Sequence, residues 1–140
     1  ITSVKDPADT FARVIEPAKT AAAEAGKPAP TVLASRWSIH ARDEDEAWDN
    51  LGAWRGLRAP GRLEAVDPKD LRIRADEMPR SEILGKYSMV AEAADYVDVY
   101  APLITDVHAD IVAIQTSSSD QSEVIRMLGS EVLPELRALG

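Results

Sequence analysis

The stretch "ADIVAIQTSSSDQSEVIRMLGSEVLPELRALG", residues 109–140, decides the fold class. Its first segment, Ala109 to Gln115, is nearly continuously apolar, the pattern of a strand covered on both faces in a parallel sheet. A polar turn follows, and then Val124, Ile125, Leu128, Val132, Leu133 and Leu136 recur at helical spacing. A strand handing over to a long helix is a β/α unit.

Upstream, "TVLASRWSI", residues 31–39, is β-branched and aromatic, bounded by Pro30 and a charged cluster, and reads as a second strand. The chain opens on "ITSVK", which reads as a strand end. Asp6 and Pro7 then supply an N-cap and a first-turn residue for a helix carrying Phe11, Val14, Ile15, Ala18 and Ala22. Gly26 and Pro28 stop that helix, and Pro17 inside it predicts a kink or break. After the strand at 31–39, Asp43 caps a helix whose Ala47, Trp48, Leu51 and Trp54 share one face. A shorter helix starts at Asp67-Pro68, "YSMVAE" is extended, and residues 93–107 are helical despite Pro102. Strand end, helix, strand, long helical excursion, strand, helix is an α/β order with parallel strands. So few strands leave edges and faces uncovered. The expectation is the C-terminal part of a larger barrel of about 250 residues or more.

Composition narrows the function. At 140 residues, with 45% apolar and 29% charged, the chain suits one globular domain. The absence of cysteine excludes disulfides and thiolate metal sites, and two histidines are too few for a His-rich metal site. No apolar run reaches membrane-span length and the N-terminus does not resemble a signal peptide, so the sequence reading is cytoplasmic, with no membrane partner. A net charge of −8 argues against a general nucleic-acid partner. Yet eight of the 16 Lys and Arg residues fall between Arg55 and Lys86. That basic segment is either a solvated face or a place for a small anion.

The series "ITSVKDP", "ASRWSIHARDEDEAW", "DPKDLRIRADEMP", "GKYSMVAEAADYV" and the closing stretch resembles the C-terminal portion of luciferase-like (β/α)8-barrel oxidoreductases that use the deazaflavin coenzyme F420. Within them it is most similar to the glucose-6-phosphate dehydrogenases and related sugar-phosphate enzymes. The resemblance implies about the last three β/α units of a TIM barrel. It places the seventh strand at 31–39, a long helical insertion at 41–91, the eighth strand at 109–115 and the final helix at about 119–139. It also implies oxidation of a sugar phosphate to its lactone, with hydride passing to F420.

Such barrels often hold phosphate in loops after their last strands. Carried over by resemblance, the substrate-phosphate ligands fall on Thr2 and Lys5, which keep the Thr-x-x-Lys spacing, and on Arg62 and Lys86. Arg58 competes with Arg62. Lys86 stands where the family more often has arginine, so a point charge replaces a fork. The family's hydride-transfer residues and most of its coenzyme contacts lie in the first half of the barrel, so no catalytic residue is placed here and the chain alone is expected to be inactive. Trp37 reads as core, His40 as a rim residue and His108 as belonging to the opposite, stability face. Glu92 and Gln115 stand near the active-site end.

Partners implied are a small sugar phosphate and the rest of the barrel, with homodimer formation left open. Two alternatives remain. One is an F420- or flavin-dependent relative acting on an uncharged alcohol or another substrate. The other is a non-catalytic module that assembles with a separate N-terminal half.

Overall fold

The computed structural model describes residues 2–4 and 6–140, with the side chains of Thr2, Ser3 and Ala53 left aside. Four strands, β1 (Thr2–Ser3), β2 (Leu33–His40), β3 (Ser88–Val90) and β4 (Ile111–Ser117), form one sheet in which β1, β3 and β4 each pair with β2. The β1–β2 and β2–β3 ladders are parallel, with Thr2 opposite Ala34 and Ser38 opposite Ser88. The sheet therefore has the parallel order read from the sequence. Both long strands run slightly later than the sequence patterns at 31–39 and 109–115. "YSMVAE" yields the short β3, which joins the sheet.

The chain divides into two compact units, Ile1–Arg36, Glu92–Gln115 and Arg126–Gly140 in one, Trp37–Ala91 and Thr116–Ile125 in the other. In the first unit, α1 (Pro7–Thr10) starts as expected: the Asp6 carboxylate accepts from the Asp9 amide at 3.0 Å, with Pro7 in the first turn. Pro17 does not break the helix. Residues Phe11–Ile15 widen into a π-helical turn, and Glu16 donates to Phe11 five residues back before α2 (Glu16–Glu24) continues. The same device recurs near the C-terminus: after α7 (Gln121–Met127), Leu128–Val132 are π-helical, Leu133 donates to Leu128, and Pro134 follows in α8 (Leu133–Ala138). Proline cannot donate to the carbonyl four residues back and its ring crowds that carbonyl. Widening the preceding turn relieves the clash without breaking the rod.

The α2 helix ends where Gly26 adopts φ 64°, with Lys27 N–H bonded to Ala22 and Gly26 N–H to Ala23, the Schellman pattern. The helix α6 (Ala93–Thr105) buries Tyr96, Tyr100 and Leu103. Tyr96 and Tyr100 stack with centroids 6.3 Å apart, and the Tyr100 hydroxyl donates to the Arg36 carbonyl at 2.8 Å. Asp110 ties the starts of two strands: its carboxylate accepts from Val32 N–H at 2.7 Å and its amide donates to the Val32 carbonyl at 2.9 Å.

The second unit has its own core of Ile39, Ala41, Ala47, Trp48, Leu51, Ala59, Ala75 and Ile83. It is built from α3 (Glu44–Leu51), α4 (Pro68–Asp76) and α5 (Arg80–Leu84). Asp43 and Asp67 cap the first two with carboxylate bonds to Glu46 and Lys69 amides. One sequence expectation fails here. Gly52, at φ 48° and ψ −124°, ends the α-helical path, and residues Gly52–Arg58 continue as a 3-10 turn. The buried face of Ala47, Trp48 and Leu51 therefore stops short of Trp54, which is 53% exposed.

Candidate functional site

Eight cations lie between Arg55 and Lys86, and the structure sorts them. Arg55 is a core residue: its Nε meets Asp76 Oδ1 at 2.6 Å, and its guanidinium lies 4.7 Å from the Trp48 ring. Arg80 pairs with Asp45 at 2.7 Å and also reaches Trp48. Arg74 donates to the carbonyls of Pro60 and Gly61. These three hold the helices and the loop between them.

Of the remaining five, Arg58 and Arg62 meet at one concavity. A pocket of about 290 Å³ is lined by Trp37, Leu57, Arg58, Arg62, Leu63 and Tyr87. Trp37 enters from β2, Leu57 and Arg58 from the 3-10 turn, Arg62 and Leu63 from the loop after it, and Tyr87 from just before β3. Trp37, read from the sequence as core, is only half-buried and forms a wall, 5.5 Å from Trp54 and 6.2 Å from Tyr87 between ring centroids. Arg58 lies over the Tyr87 ring at 5.0 Å. Among the described residues neither Arg58 nor Arg62 has a carboxylate partner within 4.0 Å.

Burial pushes the Tyr87 phenol above its ordinary pKa, while Arg58 and then Arg62 pull it down. Both guanidinium groups thus act electrostatically on the same ring.

Of the four phosphate ligands drawn from resemblance, the structure places Arg62 on the pocket wall, where its Nη1 donates to the Leu57 carbonyl at 2.9 Å. Lys86 is not among the lining residues. Its ammonium lies 3.8 Å from Glu82 and 3.5 Å from the Arg58 carbonyl, so it braces the arginine's backbone. Thr2 contributes its backbone to β1 in the first unit, and Lys5 lies outside the described residues. Glu92 caps α6 in a reciprocal box with Asp95, and the Gln115 carbonyl faces the Tyr100 hydroxyl at 3.4 Å. His108, at φ 54°, meets Phe11 edge to face at 5.7 Å. Among the described residues no group of three or more His, Asp or Glu side chains could hold a metal ion, and no helix is long and apolar enough to cross a membrane.

No protein-family model matches the chain, and no curated protein matches it in sequence. Solved structures do. An F420-dependent secondary alcohol dehydrogenase, in complex with an F420-acetone adduct, is similar with a TM-score of 0.71 and 22% identity, over 97% of this chain and 42% of that one. The EDTA monooxygenase from Chelativorans sp. BNC1 is similar with a TM-score of 0.58 and 16% identity, over 98% of this chain and 38% of that one. The fold is thus α/β with a parallel sheet, matching part of a TIM barrel. The chain spans about two fifths of the length of the structures it matches.

Sequence reasoning missed Trp37 and Tyr87 as walls of the pocket. Tyr87 directly follows Lys86 in "GKYSMV", so its position was in view, but only packing shows that it backs Arg58.

Proposed function

We propose that the chain is part of an F420-dependent dehydrogenase that oxidises a sugar phosphate such as glucose 6-phosphate to its lactone, and that it supplies the site for the substrate's phosphate. The observation that carries this reading is the pair Arg58 and Arg62 on the wall of one pocket, without a carboxylate partner among the described residues. A dianionic ester needs cations with forked donors to replace its hydration, and guanidinium supplies them. The phosphate ligands that the resemblance implies are Thr2, Lys5, Lys86 and Arg62 or Arg58, and of these the two arginines line this pocket.

The pocket's paired guanidinium groups suit a small anionic group. The coenzyme's own contacts are placed outside this pocket. When bound, F420 supplies the hydride acceptor. This chain's part is to anchor the phosphate, so that binding energy remote from the reacting carbon orients that carbon.

A second reading is oxidation of an uncharged alcohol. It is favoured by the apolar lining of Trp37, Leu57 and Leu63 and by the engagement of Lys86 with Glu82. One experiment separates the two in the complete protein: F420 reduction is followed with glucose 6-phosphate and with 2-propanol, each with added inorganic phosphate. Oxidation of the ester, competitively inhibited by phosphate, is the expected result, and Lys5→Ala should raise KM for the ester about tenfold or more, as loss of a charge-assisted contact does. Turnover of 2-propanol alone, indifferent to phosphate, would support the uncharged-alcohol reading instead.

A further inference from the structure

The two pocket arginines are not equivalent. Arg62 spends Nη1 on the Leu57 carbonyl, at 2.9 Å, and so closes the 57–62 loop on itself. Arg58 is held differently. Its guanidinium carbon lies over Tyr87, 5.0 Å from the ring centroid, and its Nε is buried with no hydrogen-bond partner among the described residues. A buried donor without an acceptor is costly, and an oxyanion would supply the acceptor.

The support behind Arg58 is itself fixed. The Tyr87 hydroxyl faces the Trp54 carbonyl at 3.4 Å, and its ring meets Trp37 edge to face at 6.2 Å. The Lys86 ammonium donates to the Arg58 carbonyl at 3.5 Å. A guanidinium that rests over an aromatic ring keeps N–H donors with which to fork onto a ligand. Backbone brace, aromatic backing and an unmatched donor meet in one residue on the pocket wall.

We propose that Arg58, positioned by Tyr87, is the guanidinium that receives the tetrahedral oxyanion of the substrate, while Arg62 chiefly shapes the loop. This rests on the reading that the pocket binds a phosphate ester. Arg58 is then the specificity-determining residue and Tyr87 its positioning residue.

The test uses the complete protein with F420 and compares kcat/KM for glucose 6-phosphate with that for glucose. The ratio isolates recognition of the phosphate, since a purely structural lesion lowers both values together. Arg58→Gln should lower the ratio about 30-fold, as expected for loss of a charge-assisted fork, and at least several times more than Arg62→Gln does. Tyr87→Leu should lower it about fivefold, and Tyr87→Phe, which keeps the ring, should restore most of that loss.

If the wild type neither prefers the ester nor is inhibited by inorganic phosphate, the sugar-phosphate reading falls and the proposal falls with it. If the wild type prefers the ester but Arg62→Gln costs as much as Arg58→Gln, or more, the reading stands and the assignment to Arg58 is overturned. A measurement on the wild type covers a variant that fails to fold: phenylglyoxal modification, mapped by peptide mass spectrometry with and without inorganic phosphate. Selective protection of Arg58 supports the proposal; protection of Arg62 alone, or of neither, overturns it.

Discussion

Tyr87 shows how one side chain joins packing to charge. Its ring is the surface on which Arg58 rests, and burial raises its phenol pKa against the opposing pull of Arg58 and Arg62. The folded state therefore holds the phenol proton more tightly than the unfolded chain does. The resulting stability is fully present below the ordinary phenol value and is lost as pH rises through the higher folded value. Urea midpoints measured from neutral pH to about pH 11 should thus fall more steeply for the wild type than for Tyr87→Phe, which has nothing to ionise there. Arg58→Gln removes a lowering influence and should move that fall to higher pH. A wild-type alkaline limb identical to that of Tyr87→Phe would show that the phenol is not held in this way. Residue identity alone could not reveal this. The sequence shows Arg58, Arg62 and Tyr87 as a basic stretch and an isolated aromatic, and only the turn at Gly52 and the placing of β3 bring them to one wall.

At the scale of elements, most of the fold was legible because local rules and tertiary packing agree. Asp6, Asp43 and Asp67 each cap the helix they precede, and the apolar patterns at 31–39 and 109–115 each mark a strand within a residue or two. What was not legible is how the chain absorbs conflict. Pro17 signals trouble, but the pattern does not say whether the helix breaks or widens, and the observed π turns before Pro17 and Pro134 widen it. Nor does periodicity say where a helical face ends, which is why Trp54 and Ile125, both in phase with buried neighbours, are more than half exposed. Two glycines separate backbone conformation from packing, because a Cβ would meet nothing within 4 Å at either Gly26 or Gly129. Gly26 sits at φ 64°, so Gly26→Ala should destabilise by about 1 kcal/mol through backbone strain alone. Gly129 lies within the π-helical turn at an ordinary φ, so Gly129→Ala should stabilise by about 0.5–1 kcal/mol, as glycine is a poor helix former. Chemical denaturation of both variants checks the pair, and shifts of the same sign would contradict this account of the two turns.

At the scale of the whole molecule, the sheet sets the expectation. Parallel strands are usually buried on both faces, and the apolar run of β4 reads that way in sequence. In the structure Ile111 is 49% exposed and the rest of the strand up to Thr116 is only partly buried. Beside it, in the first unit, lies a cavity of about 540 Å³ lined by Ile104, Ile111, Val112, Leu133 and Leu136, among others. Apolar strand surface in this state favours association with other polypeptide. Under the proposed function, that polypeptide is the rest of a barrel, and the chain spans about two fifths of the length of the solved structures named above. The 140-residue chain produced alone should therefore self-associate on size-exclusion chromatography, bind a hydrophobic dye, and fail to reduce F420 with glucose 6-phosphate. Substituting Ile111 and Val112 with threonine, which keeps β-branching while lowering apolarity, should reduce the association without loss of helical circular dichroism. A monodisperse, folded monomer that binds no dye would instead favour a self-sufficient module, because a chain with no apolar surface to cover has no physical need of the remaining strands.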